Sequence, residues 1–412
     1  MDPLLSRRNF VWGVAGAAMA GGFPGAMGAA EKSLQIQPFH ITASSGVLSD
    51  LRYRLEHTRW NDAVTADWSY GTARPFLQHL IGYWRDVYDW RVREAAFNAL
   101  PQFHVTIDGF GVQFLHYKGR GPSPTPLLLM NGWPSSFVEY QKLAPMLSNP
   151  GQFGGDPADA FDVVIPAMPG FGFSERPTRP LQARAVDLNL KLMTDFLGYK
   201  RFMASGTDIG AGVATRLGLE HPDLLLGIHI ASVADPPLDS TSPPLTEAEK
   251  AFRRREETWE QQEGAYSAIQ STRPQTLAFG LADSPVGLAS WITEKFYAWS
   301  DCHGDVLSVF PLEMLIDNLM IYWLTETIGS SVRYYYEATR WRRPFRPGDH
   351  VPVPTAVMMM PKDLVVAPRE WAERFYNVRR YTLMDRGGHF PAWEAPDLYA
   401  GDLRSFARTL RA

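Results

Sequence analysis

The sequence of 412 residues is 45% hydrophobic and contains 13 tryptophans, so it can form one large α/β domain with an insertion or two modest domains. The formal net charge of −4 leaves no basic surplus, and nucleic acid is therefore not an expected partner. The single cysteine, Cys302, excludes an internal disulfide, and because no motif has ligand spacing, neither a metal nor an organic cofactor is expected.

The N-terminal 30 residues have the pattern of an export signal. Arg7 and Arg8 precede an apolar run rich in alanine and glycine, which ends in small residues just before Glu31. This order is typical of a bacterial twin-arginine signal, so residues 1–30 are predicted to direct export to the periplasm or beyond, with cleavage and no stable membrane insertion afterwards. The alternative is an uncleaved membrane anchor, because the run is about long enough for the ~20 residues that span a bilayer.

Residues 31–100 are predicted to form a helical segment. The stretch SSGVLSDLRYRLEHTRW has four apolar residues on one helical face, and Ser44 and Ser45 are available as N-caps. Those four residues are Val47, Leu48, Leu51 and Leu55. The aromatic-rich stretch RPFLQHLIGYWRDVYDWRVREAAFNAL predicts more helix.

Strand patterns begin after residue 100 and are interrupted once. Asp108-Gly109 separates two alternating runs and predicts a hairpin. The runs TPLLLMNGWP, FDVVIPAMPGFGFS, KRFMASGTDIG and PVPTAVMMMP are continuously apolar, as in a parallel sheet covered by helices on both faces. Residues 101–235 and 345–412 are therefore assigned to an α/β core, and the Pro-rich, then charged and helical residues 236–344 to an inserted cap.

The segment GTDIG, from Gly206 to Gly210, has the G-x-S-x-G spacing of the hydrolase nucleophile elbow, with Asp208 in place of serine. RFMAS before it predicts a strand and AGVATRLGLEH after it predicts a helix, which is the context that the elbow requires. As an isolated motif it is also compatible with an ordinary Asx-type turn. In this context it favours the α/β-hydrolase fold, with Asp208 as the nucleophile.

Two further residues follow in the order that this fold requires, acid and then histidine. Asp363 stands just after a strand pattern, and His389 lies in a glycine-rich loop after the next one. The alternatives are a helix-capping or solvated Asp363 and a His389 that belongs to the surface or the core. Because all three residues fall at strand ends in the right order, we predict a triad of Asp208, Asp363 and His389.

The carboxylate at the elbow indicates the reaction type. A serine that attacks a saturated carbon would leave an ether, which activated water does not readily cleave. An aspartate leaves an ester, which water activated by His389 can hydrolyse. Asp208 is expected to be ionised near neutral pH, since aspartate titrates near ~4. Epoxides and alkyl halides are the two substrate classes that this chemistry suits.

Seven sequence blocks in order make the chain resemble the microsomal-type epoxide hydrolases, which have a helical N-terminal domain before an α/β-hydrolase core. The blocks are NGWPSSFVEY, FDVVIPAMPGFGFSERP, GTDIG, DSPVGLASWITEKFYAWSD, DNLMIYWLTETIGSSVRYYYE, PKDLVVAPREW and RGGHFPAWEAP. The resemblance implies an enzyme that opens a small hydrophobic epoxide with water to give a vicinal diol, while self-association is left open.

The resemblance also implies roles for four further residues. Tyr335 and Tyr266 match the cap tyrosines that donate hydrogen bonds to the epoxide oxygen, although cap aromatics can also serve packing alone. The backbone N–H groups of Trp133 and Ile209 match the oxyanion-hole donors. With Asp208 as nucleophile, His389 as general base and Asp363 orienting the imidazole, these complete the predicted site.

The chain departs from the family pattern at two positions. Asn131 stands where the family usually has histidine, and Ile209 where it usually has tryptophan. Loss of the indole at Ile209 counts against the first alternative function, hydrolytic dehalogenation, in which that N–H holds the departing halide. The second alternative, a catalytically inert protein that binds hydrophobic ligands, is motivated by the same two departures.

Overall fold

The structure, a computed structural model, describes residues 36–179, 184–341 and 343–411. The predicted export signal lies outside the described residues. Within them, nine strands form a sheet in the order β1-β2-β3-β5-β4-β6-β7-β8-β9. The strands are β1 (Gln37–Pro38), β2 (Gln102–Ile107), β3 (Phe110–Tyr117), β4 (Thr125–Met130), β5 (Phe161–Pro166), β6 (Phe202–Gly206), β7 (Leu225–Ile230), β8 (Val351–Met359) and β9 (Tyr376–Leu383).

The sheet is antiparallel at its N-terminal edge and parallel elsewhere. Strand β2 pairs antiparallel with β1 and with β3, and β3 pairs antiparallel with β5. The remaining neighbours, in the order β5, β4, β6, β7, β8 and β9, pair in parallel. The β2–β3 hairpin turns at Asp108 and Gly109, whose φ angles of 52° and 78° suit a two-residue turn between twisted strands. The predicted α/β-hydrolase fold, a mostly parallel sheet with helices on both faces, is confirmed.

The continuously apolar strands are buried on both faces of the sheet. Along β4, Leu127 and Leu129 belong to one apolar cluster, and Leu128 and Met130 belong to the other. Side chains alternate between the faces of a strand, so a strand with helices on both sides needs apolar residues at every position.

Three helices precede the hairpin. They are α1 (Ser45–Glu56), α2 (Arg74–Asp86) and α3 (Trp90–Asn98). Ser44 caps α1 by accepting a hydrogen bond from the Val47 N–H. The aromatic-rich stretch forms two helices, because Asp89 caps α3 through the Arg91 N–H and so starts a new helix there.

The other helices cover the sheet or form the segment between β7 and β8. Those before β7 are α4 (Leu143–Ser148), α5 (Ala185–Lys191) and α6 (Asp208–Glu220). Between β7 and β8 lie α7 (Glu247–Glu263), α8 (Ala265–Thr272), α9 (Pro274–Asp283), α10 (Pro285–Ala298), α11 (Leu312–Thr325) and α12 (Ile328–Trp341). After β8 follow α13 (Arg369–Glu373), α14 (Pro391–Glu394) and α15 (Pro396–Arg411).

The N-terminal helices are attached to helix α11 by a buried ion pair. Asp317 on α11 accepts hydrogen bonds from Tyr88 Oη at 2.8 Å and from Arg93 Nε at 3.0 Å. The Asp317 side chain is 1% exposed. A buried carboxylate of this kind requires its partners, so this contact fixes how the two helical segments meet.

Candidate active site

Asp208 lies at the sharp turn between strand β6 and helix α6. Its φ angle is 49°, in the left-handed region. Gly206 and Gly210 allow this turn, because a Cβ on Gly210 would overlap the Met130 carbonyl and one on Gly206 would overlap the Gly210 backbone. The glycine spacing noted in the sequence therefore brings strand and helix close together and projects the carboxylate at the end of the sheet.

The structure brings Asp208, Asp363 and His389 together. Asp363 follows β8 and accepts a hydrogen bond from His389 Nδ1 at 2.7 Å. His389 follows β9, and its Nε2 lies 3.9 Å from Asp208 Oδ2. His389 is buried, and the ring of Trp299 contacts it edge-on, with 5.1 Å between centroids. The imidazole is thus oriented by Asp363 and directed at the elbow carboxylate.

The electrostatics favour a charged imidazole in the free site. Burial lowers the pKa of His389, but the Asp363 carboxylate, helped by Asp208, outweighs this effect and raises the pKa to about 9. Burial raises the pKa of Asp208, contrary to the expectation of an unperturbed aspartate, while His389 and two backbone N–H groups oppose that shift. An imidazolium between two carboxylates satisfies all three groups.

Both predicted oxyanion donors contact the Asp208 carboxylate, and the Trp133 N–H does so at a defined oxygen. The Trp133 N–H donates to Asp208 Oδ1 at 2.9 Å, and the Ile209 N–H also donates to the carboxylate. The departure at Asn131 preserves the turn, because Asn131 Nδ2 donates to the Gly132 carbonyl at 3.0 Å and to Ser135 Oγ at 3.1 Å. Asn131 therefore keeps the loop closed by hydrogen bonds to its own neighbours.

Helix α11 holds the Trp133 loop from the other side, through two residues that sequence analysis missed. Asn318 Nδ2 donates to the Pro134 carbonyl at 2.8 Å, and Tyr322 Oη donates to the Ser135 carbonyl at 3.1 Å. Both residues are buried and stand four positions apart, on one face of the helix. The sequence held one signal that could have identified them, namely two polar residues four positions apart within the apolar block DNLMIYW.

The two predicted tyrosines pack on the ring of Trp133. Tyr266 stacks on it with 5.5 Å between centroids, and Tyr335 meets it edge-on at 6.1 Å. Burial raises the pKa of both phenols, and the nearby Asp208 carboxylate raises it further. At neutral pH both are therefore neutral O–H donors, next to the residue whose N–H holds the Asp208 carboxylate.

A cavity of about 600 Å³ opens onto the triad, whose three residues form part of its wall. Its apolar wall consists of Val233, Phe252, Trp259, Leu364, Val365 and Ala367. Helix α7 adds a polar rim of Arg253, Glu256, Glu257, Glu260 and Gln261. A second cavity, of about 630 Å³, lies between α6 and α12 and includes none of the triad residues, so of these two cavities only the first reaches the triad.

The described part of the chain holds no group of three His, Cys, Asp or Glu side chains arranged to bind a metal ion. Nor does any helix among residues 36–179, 184–341 and 343–411 have the length and apolar character needed to cross a membrane.

Comparisons with known families match two parts of the chain. Residues 36–140 match the family described as epoxide hydrolase N terminus, and residues 125–279 match the family described as alpha/beta hydrolase fold. The first match includes the N-terminal helices and the Trp133 loop, and the second includes the elbow.

Individual relatives extend these matches over most of the chain. A Stigmatella aurantiaca protein that bears the epoxide hydrolase name is 40% identical over 381 residues, covering 92% of this chain and 86% of that protein. Epoxide hydrolase 1 of Sus scrofa is 32% identical, covering 93% and 91%. The crystal structure of juvenile hormone epoxide hydrolase from the silkworm Bombyx mori superposes with a TM-score of 0.81 at 26% identity, covering 92% and 95%.

Proposed function

Because this chain belongs to the epoxide hydrolase family and opens epoxides to vicinal diols on an α/β-hydrolase fold, we propose that Asp208 is its nucleophile. The prediction of an epoxide hydrolase is thereby confirmed, and the roles of individual residues are the proposal. The observation that supports them best is the division of the Asp208 carboxylate, with Oδ1 on the Trp133 N–H and Oδ2 facing His389.

In the first step, Asp208 Oδ2 forms a bond to an epoxide carbon while the bond between that carbon and the ring oxygen breaks. The ring oxygen takes a proton from one of the phenols of Tyr335 and Tyr266, which becomes a phenolate, while the other phenol donates a hydrogen bond to the same oxygen. Neutral phenols placed where this negative charge develops lower the barrier more than mobile water would. The product of the step is an ester between Asp208 and the opened substrate.

Once the ester has removed the charge of Asp208, His389 releases its proton to solvent. In the second step, the neutral imidazole removes a proton from water, and the water oxygen attacks Asp208 Cγ. The charge moves to Oδ1, where the N–H groups of Trp133 and Ile209 stabilise it. The tetrahedral intermediate then releases the diol, whose departing oxygen takes the proton from His389. The acid proton left on Asp208 by the attacking water returns to the phenolate formed in ring opening, so that the carboxylate and the tyrosine are both regenerated. Asp363 keeps Nδ1 as the donor nitrogen and stabilises the imidazolium that forms.

Two substitutions test these roles. Asp208→Asn should abolish diol formation, because a neutral amide does not attack the ring. His389→Gln should accumulate an ester, seen by mass spectrometry as a substrate-sized addition on the peptide that contains Asp208. Asp385→Asn removes a carboxylate that is 82% exposed and should retain turnover. Full activity of Asp208→Asn would reject the scheme.

An isotope experiment tests the ester independently. In the proposed route the attacked carbon receives its oxygen from Asp208, and the water oxygen enters the carboxylate. A single turnover in ¹⁸O-labelled water should therefore label Asp208 and leave the diol unlabelled. Label in the diol after one turnover would indicate direct attack by water and no ester.

We further propose that the substrate is a small hydrophobic epoxide without a negative charge. Support comes from the apolar wall of the cavity and from three glutamates on its α7 rim, against one arginine. Matched pairs of epoxides with an alkyl or a carboxylate terminus test this, and the alkyl member should have the higher kcat/KM. Equal values would argue against a role of the cavity in selecting charge.

We also propose that residues 1–30 direct export by the twin-arginine route and that residues 31–100, 101–235, 236–344 and 345–412 form the N-terminal segment, the two core parts and the cap. The positions of α1–α3 before β2 and of α7–α12 between β7 and β8 support this division. Replacement of Arg7 and Arg8 by lysine should retain the protein inside the cell. Unchanged export would reject the signal.

A further inference from the structure

Four successive backbone N–H groups around His389 are all hydrogen-bonded to groups outside the loop. The Gly387 N–H donates to Asp301 Oδ2 at 3.0 Å, and the Gly388 N–H to Glu394 Oε2 at 2.8 Å. The His389 N–H donates to the Trp299 carbonyl at 2.8 Å, and the Phe390 N–H to Glu394 Oε1 at 2.9 Å. The backbone of this loop is thus fixed at every residue from 387 to 390.

Glu394 also connects the loop to the segment that follows helix α10. Its Oε2 accepts a third N–H, that of Asp301, at 2.7 Å. At the same place the loop and this segment touch closely, since a Cβ on Gly388 would lie 2.6 Å from the Trp299 carbonyl oxygen. The carboxylate of Glu394 therefore joins two backbone segments where they meet beside the general base.

We propose that Glu394 is a positioning residue for His389, which it holds at its distance from Asp208 through the Gly388, Phe390 and Asp301 N–H groups. Glu394 itself contacts none of the reacting atoms, and its effect passes through the backbone. The inference rests on the proposed function, because it assumes that His389 activates water. Nothing in the ester-forming step requires that role of the imidazole.

Because the two steps depend on different residues, the proposed role of Glu394 applies to ester hydrolysis alone. Ring opening depends on Asp208 and the tyrosines, which are held by the elbow and by Trp133. Ester hydrolysis depends on where His389 Nε2 lies, and a displacement of about 1 Å can reduce such a step about 100-fold. A change at Glu394 should therefore slow hydrolysis and leave ring opening almost unaffected.

The test uses Glu394→Gln in the full-length protein, with both steps measured in single turnovers. Burial raises the pKa of Glu394 to about 7, while the three N–H groups oppose this shift, so the measurements are made at about pH 8.5, where the carboxylate is ionised. The amide retains one oxygen and opposes an N–H with its own NH₂. We expect hydrolysis to slow about 10- to 100-fold, with accumulation of the ester, and ring opening to change less than about threefold.

Two controls separate positioning from general damage. Asp397→Asn breaks the ion pair of Asp397 with Arg386, on the same loop but outside the N–H contacts, and should leave both steps unchanged. If Glu394→Gln does not fold, Asp301→Asn, which weakens the Gly387 contact, should produce the same selective slowing to a smaller degree. In a His389→Gln background, Glu394→Gln should reduce the remaining hydrolysis rate no further.

Equal slowing of both steps, or an additional loss in the His389→Gln background, would overturn the proposal. The proposal would also fail if the wild-type protein shows the ester and a folded Glu394→Gln variant hydrolyses it at the wild-type rate. Absence of any ester in the wild-type protein and in His389→Gln would instead reject the proposed function itself.

Discussion

The two oxygens of Asp208 have different surroundings, and the proposed mechanism depends on that difference. Oδ1 accepts the Trp133 N–H, whereas Oδ2 faces His389 across 3.9 Å. In the proposed mechanism Oδ1 carries the negative charge during hydrolysis, and the Trp133 N–H already holds it before the substrate arrives. Preorganised donors need no rearrangement when the charge develops.

The cap tyrosines should affect ring opening and not ester hydrolysis. Tyr335→Phe and Tyr266→Phe each remove one O–H donor, while the ring contacts with Trp133 remain. We expect each substitution to slow ester formation by about 10- to 100-fold, measured by rapid-quench single turnovers, and to leave the decay of preformed ester unchanged. Tyr336→Phe, at the neighbouring position, is the control. Unchanged ester formation in both variants would reduce the tyrosines to packing residues.

The pH dependence of ester hydrolysis should report a lower pKa of His389 than the one it has in the free enzyme. The pKa of His389 is raised to about 9 in the free enzyme, and Asp208 contributes to that shift. Formation of the ester removes the charge of Asp208, so the pKa of His389 should fall and neutral imidazole should form at lower pH. The hydrolysis rate is expected to rise with pH and to level off below about 9. A rate that falls as pH rises, or a midpoint above 9, would contradict this scheme.

The site residues that stand at strand ends were predictable from the sequence, whereas those that contact the backbone of neighbouring segments were not. Asp208, Asp363 and His389 occupy positions where a parallel sheet collects side chains, so chain order alone brought them together. Asn318 contacts a carbonyl of the distant Trp133 loop, and Glu394 connects N–H groups of the loop before it to the N–H of the distant Asp301. Such contacts depend on tertiary geometry. The spacing of Asn318 and Tyr322 within an apolar helix was a signal for one of them, whereas Glu394 had none.

The contact between the N-terminal helices and α11 leads to a prediction about the free energy of unfolding. Asp317→Ala would leave Arg93 and Tyr88 without their buried acceptor. Removal of one member of a buried pair typically costs about 3 kcal/mol of the free energy of unfolding, which denaturant titration can measure. Arg52→Ala, in a helical ion pair that is 67% and 43% exposed, should have no resolvable effect. Similar values for the two variants would show that the contact contributes little.

The existence of the main strands and helices was more predictable than the residues at which they begin and end. Continuously apolar runs identified the central strands, because helices cover both faces of the sheet. The aromatic-rich stretch gave no warning that Asp89 starts a new helix, since its hydrophobic pattern continues across the break. Strand β1, with two residues and no apolar pattern, has no signal in the sequence at all.

At the scale of the whole molecule, one apolar cluster includes Leu80 of helix α2, Leu129 of strand β4 and Leu319 of helix α11. Leu80→Ala opens a cavity and should cost about 3 kcal/mol. Because the cluster is shared, hydrogen exchange should show equal losses of protection in α2 and β4. Val87→Ala, at a side chain that is 63% exposed, should change neither. A loss confined to α2 would mean that the N-terminal helices open independently.

The contact between Trp299 and His389 gives the catalytic cycle an optical signal. A protonated imidazole quenches the emission of an indole that it touches, whereas a neutral imidazole quenches much less. Formation of the ester neutralises Asp208 and leads to deprotonation of His389, so the fluorescence of Trp299 should increase. The fluorescence should decrease again as the diol is released. Stopped-flow fluorescence would record this transient increase and so follow the protonation of His389 in real time without any label. The transient should be absent in Trp299→Phe.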